Sequence, residues 1–275
     1  MNRLTKRLTD LKKQNKKALV AYLVAGDPDM ETTLQLMQLF IESGVDVIEI
    51  GVPFTDPIAE GPIIQKAHDR ALAKDISLTS IFEMVQKFRE IDNNTPIVLM
   101  GYLNTFLSHK NLIEENKKDS VDSILVVDIP GELNLADYGI KNQNINTISL
   151  ISPTTNKDRI KSIAENSTGF VYYVTLRGVT GASNLNINEI TNNIEEIKKY
   201  ASVPTLAGFG IKSPEDAKLL SSCSDGVIVG SSIVKMIEEN SQTKEFDRIG
   251  QYISELKQAI SVSYTHLRAH ETVDY

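Results

Sequence analysis

The chain has 275 residues and a net charge of −7, and its 41% hydrophobic and 24% charged residues are typical of a globular protein with a sizeable core. Seven Lys and Arg face one Asp in the first 17 residues, but no basic cluster follows, so a nucleic-acid partner is not expected. No apolar stretch reaches the length of a membrane span, and the single cysteine, Cys223, excludes an intrachain disulfide and favours a reducing compartment, the cytoplasm.

The N-terminal segment predicts an amphipathic helix over 2–15, because leucines recur there at helical spacing. The apolar run that follows, Ala18–Val24, is short and ends at Gly26-Asp27-Pro28. We therefore interpret it as a first strand rather than as part of a signal peptide. A helix over about 31–43, closed by Gly44, comes next.

Apolar strand patterns recur along the rest of the chain and alternate with helical patterns, at about 63–73, 78–91, 187–199, 214–221 and 243–260. Together with the first, the predicted strands are Ala18–Val24, Val45–Val52, Pro96–Met100, Ser123–Asp128, Thr147–Ile151, Gly169–Thr175, Val203–Ala207 and Gly226–Val229. The alternation predicts an α/β fold, a single-domain (β/α)8 TIM barrel over residues 1–260 with an extra N-terminal helix. A doubly wound open sheet is the alternative, but it would normally carry a glycine fingerprint after the first strand, which this chain lacks.

The apolar periodicity ends after Ile260, and residues 261–275 match no predicted element. We interpret these residues as a disordered or non-native tail, for example a cloning or sequence-assembly remnant. A short terminal helix is the alternative.

The second predicted strand carries Glu49 among β-branched apolar residues. Such a carboxylate costs several kcal/mol to desolvate unless it has a partner or a chemical role, and a satisfied core glutamate is the ordinary explanation. A second acid, Glu60, follows eleven residues later, past a loop rich in Gly and Pro that can fold back to the strand end. Two carboxylates in unlike environments are typical of general acid–base catalysis. We expect burial to raise the pKa of Glu49, and access to water to keep Glu60 ionised.

Glycines follow the last three strands, at Gly178–Gly181, Gly208–Gly210 and Gly230. Glycine lets backbone N–H groups approach an anion closely, and the helix that Ser231 begins turns its positive end toward the same point. Such glycines can simply make tight turns, but barrels often bind phosphate after strands seven and eight. The three glycine segments together therefore favour a phosphate site.

Two residue types are absent where other barrel chemistries need them. None of the predicted strands carries a lysine, which a Schiff-base aldolase needs at a strand end, and the four histidines form no metal-binding pattern. Aromatic residues near the strand ends are Tyr22, Phe54, Tyr102, Tyr172 and Phe209. The pattern indicates acid–base chemistry on a flat apolar group that is linked to a phosphate.

The sequence contains IEIGVPFTDPIAEGP and, in register with it, LVAGDPD, VVDIP, LRGVTG, LAGFGI and VGSSIVK. In these segments the chain resembles the tryptophan synthase alpha chain family, over about residues 2–260. The resemblance implies cleavage of indole-3-glycerol phosphate to indole and glyceraldehyde 3-phosphate, with no cofactor in this chain. It also implies a beta-chain partner that holds pyridoxal phosphate (PLP) and receives the indole through a channel, in an assembly of two alpha and two beta chains.

By motif position, the resemblance implies that Glu49 moves a proton between the glycerol hydroxyl and indole carbon 3. It implies that Glu60 hydrogen-bonds the indole nitrogen, that Asp56 and Pro57 face the beta chain, and that Thr180 lies in a loop that closes over the site. The other implied substrate-binding positions are Tyr22, Met100, Leu125, Ile151 and Tyr172 around the indole, and Gly181, Phe209, Gly210, Gly230 and Ser231 around the phosphate.

Two positions depart from the family pattern. Glu60 stands where many members have Asp, and Tyr22 stands where some have Phe, which adds a hydroxyl that needs a partner. Activity is expected to survive the first change, because the carboxylate is kept.

Two alternatives remain: another phosphate-binding barrel enzyme, such as an isomerase or an indole-glycerol phosphate synthase, and a non-catalytic alpha-like barrel that only binds and activates a beta chain. The synthase would need a lysine acid at a strand end, and the two glutamates argue against the non-catalytic barrel.

Overall fold

The computed structural model describes residues 2–116, 120–174, 187–208 and 210–261. Within them, parallel strands form a closed barrel in chain order, and the last strand pairs with the first. The strands are β1 (Ala18–Val24), β2 (Val47–Gly51), β3 (Ile97–Gly101), β4 (Ser123–Val126), β5 (Asn146–Ile151), β6 (Val171–Val174), β7 (Thr205–Gly208) and β8 (Gly226–Val229). The predicted TIM barrel is confirmed.

Helices cover the outside of the barrel. They are α1 (Arg3–Lys13), α2 (Met30–Glu42), α3 (Pro62–Leu72), α4 (Leu78–Ile91), α5 (Leu103–Ser108), α6 (Lys110–Glu115), α7 (Lys157–Asn166), α8 (Ile187–Lys198), α9 (Pro214–Cys223), α10 (Ser231–Asn240) and α11 (Asp247–Ser261), and a short 3-10 helix spans Leu135–Tyr138. Side-chain caps define several starts, such as Asp29 at α2 and Ser213 at α9, whose oxygens accept a backbone N–H two or three residues into the helix. Helix α11 ends at Ser261, and the rest of the predicted tail lies outside the described residues.

Alternation along the strands divides the apolar residues into two layers. One set fills the barrel interior, with Val20, Val47, Val98, Leu125 and Leu206 among its members. The other set packs the outer face of the strands against the helices. Helix α1 lies across the N-terminal end of the barrel and inserts its buried leucines, Leu4, Leu8 and Leu11, into the interior cluster.

Buried carboxylates tie α1 to the barrel at this end. Asp46 accepts hydrogen bonds from Arg7 (2.7 Å), from Lys257 of α11 and from the backbone N–H of Leu19 (2.7 Å). The carboxylate of Asp122, just before β4, forms ion pairs with the guanidinium groups of Arg89 in α4 and Arg3 in α1, with N–O distances of 2.9 and 3.2 Å. The loops that follow the strands lie at the opposite, C-terminal end of the barrel, which we call the barrel mouth. No helix in the described part of the chain is long and apolar enough to cross a membrane.

Candidate active site

Glu49 lies in the middle of β2 and faces the barrel interior. Its register partners are Tyr22 on β1 and Val98 on β3, and its neighbour two residues on, Gly51, faces the same way. Glu49 is 1% exposed, and its Oε1 atom has no hydrogen-bond partner among the described residues. Burial, and secondly the charge of Glu60, raises the pKa of Glu49 to about 8, as the sequence predicted. The group can therefore both hold and release a proton near neutrality.

Glu60 lies at the end of the segment that joins β2 to α3 and folds over the barrel mouth. The Tyr102 hydroxyl, at the end of β3, donates a hydrogen bond to the Glu60 carboxylate and accepts one from the Ala59 N–H at 3.0 Å. Glu60 is 9% exposed against 1% for Glu49, so it has more access to water than Glu49, as predicted, although it too is buried. Burial raises its pKa, and the hydrogen bond from Tyr102 opposes that shift.

Two tyrosines stand over glycines of neighbouring strands at the mouth. A Cβ atom on Gly51 would lie 2.1 Å from the Tyr22 hydroxyl, and one on Gly208 would lie 2.5 Å from the Tyr172 hydroxyl. Both tyrosines face the interior, because Tyr22 is in register with Glu49 and Tyr172 with Leu206. The two glycines thus leave room for rings that no other residue at those positions would allow.

The residues predicted around the indole do not all face the barrel interior. Met100 and Leu125 are register partners; Leu125 belongs to the interior cluster, and Met100 and Tyr172 pack against it. The prediction for Ile151 is wrong: Ile151 is paired with Tyr173, whose hydroxyl accepts a hydrogen bond from Asn193 of α8, so both side chains face the helices. The interior side chains of β5 are those of Ile148 and of Leu150, the residue just before Ile151. A shift of one residue in a strand exchanges its two faces.

The predicted phosphate positions that the structure describes lie after β7 and β8. Gly230 is the N-cap of α10, which Ser231 begins as predicted, and no side chain among the described residues caps that helix. Gly210 has a φ of 58°, a left-handed conformation that favours glycine, and no atom of the described residues lies within 4 Å of the place where its Cβ would stand. Three predicted site residues, Thr180, Gly181 and Phe209, lie outside the described residues.

The partner-facing prediction concerns the β2–α3 segment. Asp56 is exposed, but Pro57 is buried within the chain, and the exposed apolar side chain is the next one, Ile58, at 77%. Tyr102 was predicted only as one of the aromatic residues near the strand ends, and no role was predicted for His68, although both contact this segment. The sequence carries no signal for His68, which lies within α3.

Barrel enzymes carry their reacting groups at the C-terminal ends of the strands. Here one buried acid lies on β2 and faces the interior, with a pKa of about 8, and a second lies on the segment that follows β2 at the mouth; the two define a TIM-barrel enzyme of the acid–base type.

Comparison with known proteins gives the family. The profile of the family described as "Tryptophan synthase alpha chain" matches residues 8–261. The tryptophan synthase alpha chain of Neisseria meningitidis serogroup B is 47% identical over 247 residues, which are 89% of this chain and 94% of the relative, and that of Nitrosomonas europaea is 41% identical over 97% and 98%. The crystal structure of tryptophan synthase subunit alpha from Legionella pneumophila superposes with a TM-score of 0.86, at 37% identity over 94% and 98% of the two chains. The chain belongs to the tryptophan synthase alpha chain family, and it is a lyase of tryptophan biosynthesis.

Proposed function

We propose that Glu49 and Glu60 together carry out the half-reaction of this family, the cleavage of indole-3-glycerol phosphate to indole and glyceraldehyde 3-phosphate. The observation that supports this assignment best is the environment of Glu49, a buried carboxyl inside the barrel with a pKa of about 8 beside a second acid. At neutral pH such a group is largely protonated, so it enters the reaction as an acid.

Glu49 acts twice in the proposed sequence. Its carboxyl proton goes to indole carbon 3, which turns the ring into a positively charged iminium. The resulting carboxylate then accepts the proton of the glycerol hydroxyl, the bond between carbon 3 and the glycerol carbon breaks, and its electron pair returns to the ring. Indole and an aldehyde leave, and Glu49 is protonated again, so atoms and electrons balance without a redox partner.

Glu60 stabilises the charge that forms between these two steps. Its carboxylate accepts the indole N–H and offsets the positive charge on the ring, and the Tyr102 hydroxyl keeps the carboxylate oriented. The extra methylene of Glu relative to Asp fits the position of Glu60 on the segment over the mouth, where the side chain reaches back to Tyr102 at the end of β3.

The phosphate of the substrate is assigned to the glycine side of the mouth. The backbone N–H groups at the start of α10 have no side-chain cap in the described part of the chain, and the positive end of the helix favours an anion there. In this assignment the phosphate lies by β7 and β8, on the other side of β1 from β2, and the indole extends into the barrel interior toward Glu49, Met100, Leu125 and Tyr172.

The family pairs its alpha chain with a beta chain, and the alpha chain is not the PLP-binding subunit. We assign the partner surface to the loops after β2, β3 and β4, because the exposed apolar residues Ile58, Leu107 and Leu133 follow these three neighbouring strands. An assembly of two alpha and two beta chains, passage of indole through a channel, the lack of a cofactor in this chain and a cytoplasmic location belong to the same proposal.

The experiment is single-turnover release of indole from indole-3-glycerol phosphate, measured with and without a beta chain. Glu49→Gln keeps the shape of the side chain but cannot carry the proton, so nearly all cleavage should be lost while substrate binding persists. Glu60→Asp should keep measurable activity, and Glu60→Ala should lose about 10²-fold or more. Substantial cleavage by Glu49→Gln would contradict the mechanism, and no cleavage by the wild type under any condition would favour the non-catalytic barrel.

A further inference from the structure

His68 is a buried histidine of α3 that the catalytic sequence above does not use. It is 1% exposed, and its Nδ1 atom accepts a hydrogen bond from the backbone N–H of Phe54 at 3.0 Å. Because Nδ1 is the acceptor, the ring proton lies on Nε2, which has no partner in the described part of the chain. Burial lowers the pKa of His68 to about 4, so the ring is neutral and stays an acceptor at physiological pH.

The residue that His68 holds is in contact with the partner of Glu60. The ring of Phe54 stacks on that of Tyr102, with 4.5 Å between centroids and 15° between planes. Tyr102 in turn donates to the Glu60 carboxylate and accepts from the Ala59 N–H. A continuous set of contacts therefore runs from α3 to the carboxylate.

Among the described residues, the segment between β2 and α3 makes few other hydrogen bonds to the rest of the chain. Val52 donates to the Met100 carbonyl at 2.8 Å, next to the strand, and the Gln65 amide donates to the Glu60 carbonyl at 2.9 Å. Gln65 and His68 are three residues apart and lie on the same side of α3. Helix α3 thus fixes the segment at both ends. His68 binds Phe54 near the start of the segment, and Gln65 binds Glu60 near its end.

We propose that His68 is a positioning residue for cleavage: it fixes the Phe54 backbone, so that the Phe54 ring holds Tyr102 where its hydroxyl meets Glu60. The proposal rests on the role proposed for Glu60. A helical side chain, rather than the strand end alone, then sets the position of the catalytic segment. A displacement of about 1 Å at a catalytic group is sufficient to slow a reaction by up to about 10²-fold.

The experiment compares two replacements of His68 in the full chain, with and without a beta chain. His68→Leu keeps an apolar side chain of similar size but has no acceptor, and we expect kcat for indole release to fall about 10-fold with little change in KM. His68→Asn keeps an acceptor in the place of Nδ1, and it should restore most of the lost kcat. Phe54→Leu keeps the backbone bond but removes the stacked ring, so it should lower kcat by a similar factor.

A double-mutant cycle separates positioning from a general loss of structure. In the Glu60→Ala background, His68→Leu should cause no further loss of kcat, because the group that it positions is gone. Equal kcat for His68→Leu and the wild type, or a full second loss in the double mutant, would overturn the proposal. If Glu60→Ala alone leaves kcat unchanged, the role of Glu60 fails, which is a different outcome. If His68→Leu does not fold, a wild-type kcat for Phe54→Leu would equally overturn the proposal.

Discussion

At the scale of single residues, the barrel mouth contains polar atoms that are buried and have no partner in the described residues. The Tyr22 hydroxyl and Glu49 Oε1 are two of them. An unpaired buried polar group costs about 1–3 kcal/mol, and a protein keeps such a cost where a substrate or a reaction uses the group. Tyr22 and Glu49 lie side by side on β1 and β2, so the cost is concentrated where the chemistry is proposed.

Replacing Tyr22 by Phe should make the protein more stable. The change removes a buried hydroxyl that has no described partner and keeps the ring, so the free energy of unfolding should rise by about 1 kcal/mol. For a chain of this size that is roughly 2–4 °C in the melting temperature. The matched control is Tyr173→Phe, which removes a hydroxyl that accepts from Asn193 at 2.8 Å and should lower the melting temperature. A lower melting temperature for Tyr22→Phe would show that the hydroxyl has a partner in solution.

The raised pKa of Glu49 predicts how stability changes with pH. Folding raises this pKa from 4.5 to about 8, so between these values the folded state holds a proton that the unfolded state has released. The stabilisation of the protonated form is present below about pH 4.5 and is lost as the pH rises toward 8. Glu49→Gln cannot ionise, so its stability relative to the wild type should rise by several kcal/mol across this range. Denaturant unfolding at a series of pH values measures the difference, and a constant difference would contradict the raised pKa.

At the scale of helices and strands, the apolar pattern predicted every strand of the barrel within a few residues, because a strand buried on both faces is a short, continuous apolar run. The same continuity hides which face each residue occupies, and this is why Ile151 was assigned to the pocket in place of Leu150. Helices α5 and α6 have six residues each, too few for a periodic pattern. The hydrogen bond between Tyr102 and Glu60 joins residues that are 42 apart in sequence, so no local sequence pattern predicts it.

The buried ion pairs at the N-terminal end of the barrel should matter more than the exposed ones. Asp46 joins α1, β1 and α11 through Arg7, Leu19 and Lys257, and Asp46→Ala leaves two cations and a backbone N–H without their acceptor. We expect a loss of roughly 3 kcal/mol, at the low end for a broken buried pair because Arg7 keeps about half of its side chain in water.

The control for Asp46 is Glu196→Ala, which breaks a surface pair between Glu196 of α8 and Lys199, the residue just after that helix, and should leave the denaturation midpoint unchanged. Equal effects of the two changes would show that α1 is not held by Asp46.

At the scale of the whole molecule, the two ends of the barrel have different tasks. The N-terminal end is closed by α1 and by buried ion pairs, whereas the mouth carries the acids, the uncapped helix start and three exposed apolar side chains. Closure of the barrel brings residues from β1, β2, β3 and β6 together at the mouth, although Tyr22 on β1 and Tyr172 on β6 are 150 residues apart in sequence. Because the active site and the stabilising ion pairs lie at opposite ends of the barrel, the loops at the mouth can vary in sequence while the closed end keeps the fold stable.

The partner surface proposed at the mouth predicts an asymmetry between two exposed isoleucines. Ile58, 77% exposed, lies on the segment after β2, whereas Ile91, 53% exposed, ends α4 at the opposite end of the barrel. If the beta chain covers the mouth, Ile58→Ser removes about 1.5–3 kcal/mol of apolar burial from the complex, which weakens binding about 10- to 100-fold. Ile91→Ser makes the same chemical change outside that surface and should leave the affinity unaltered. Titration of each variant with a beta chain, followed by calorimetry or by the activation of indole release, gives the two dissociation constants. Equal constants would place the partner elsewhere on the barrel, and a larger loss for Ile91→Ser would place it at the closed end.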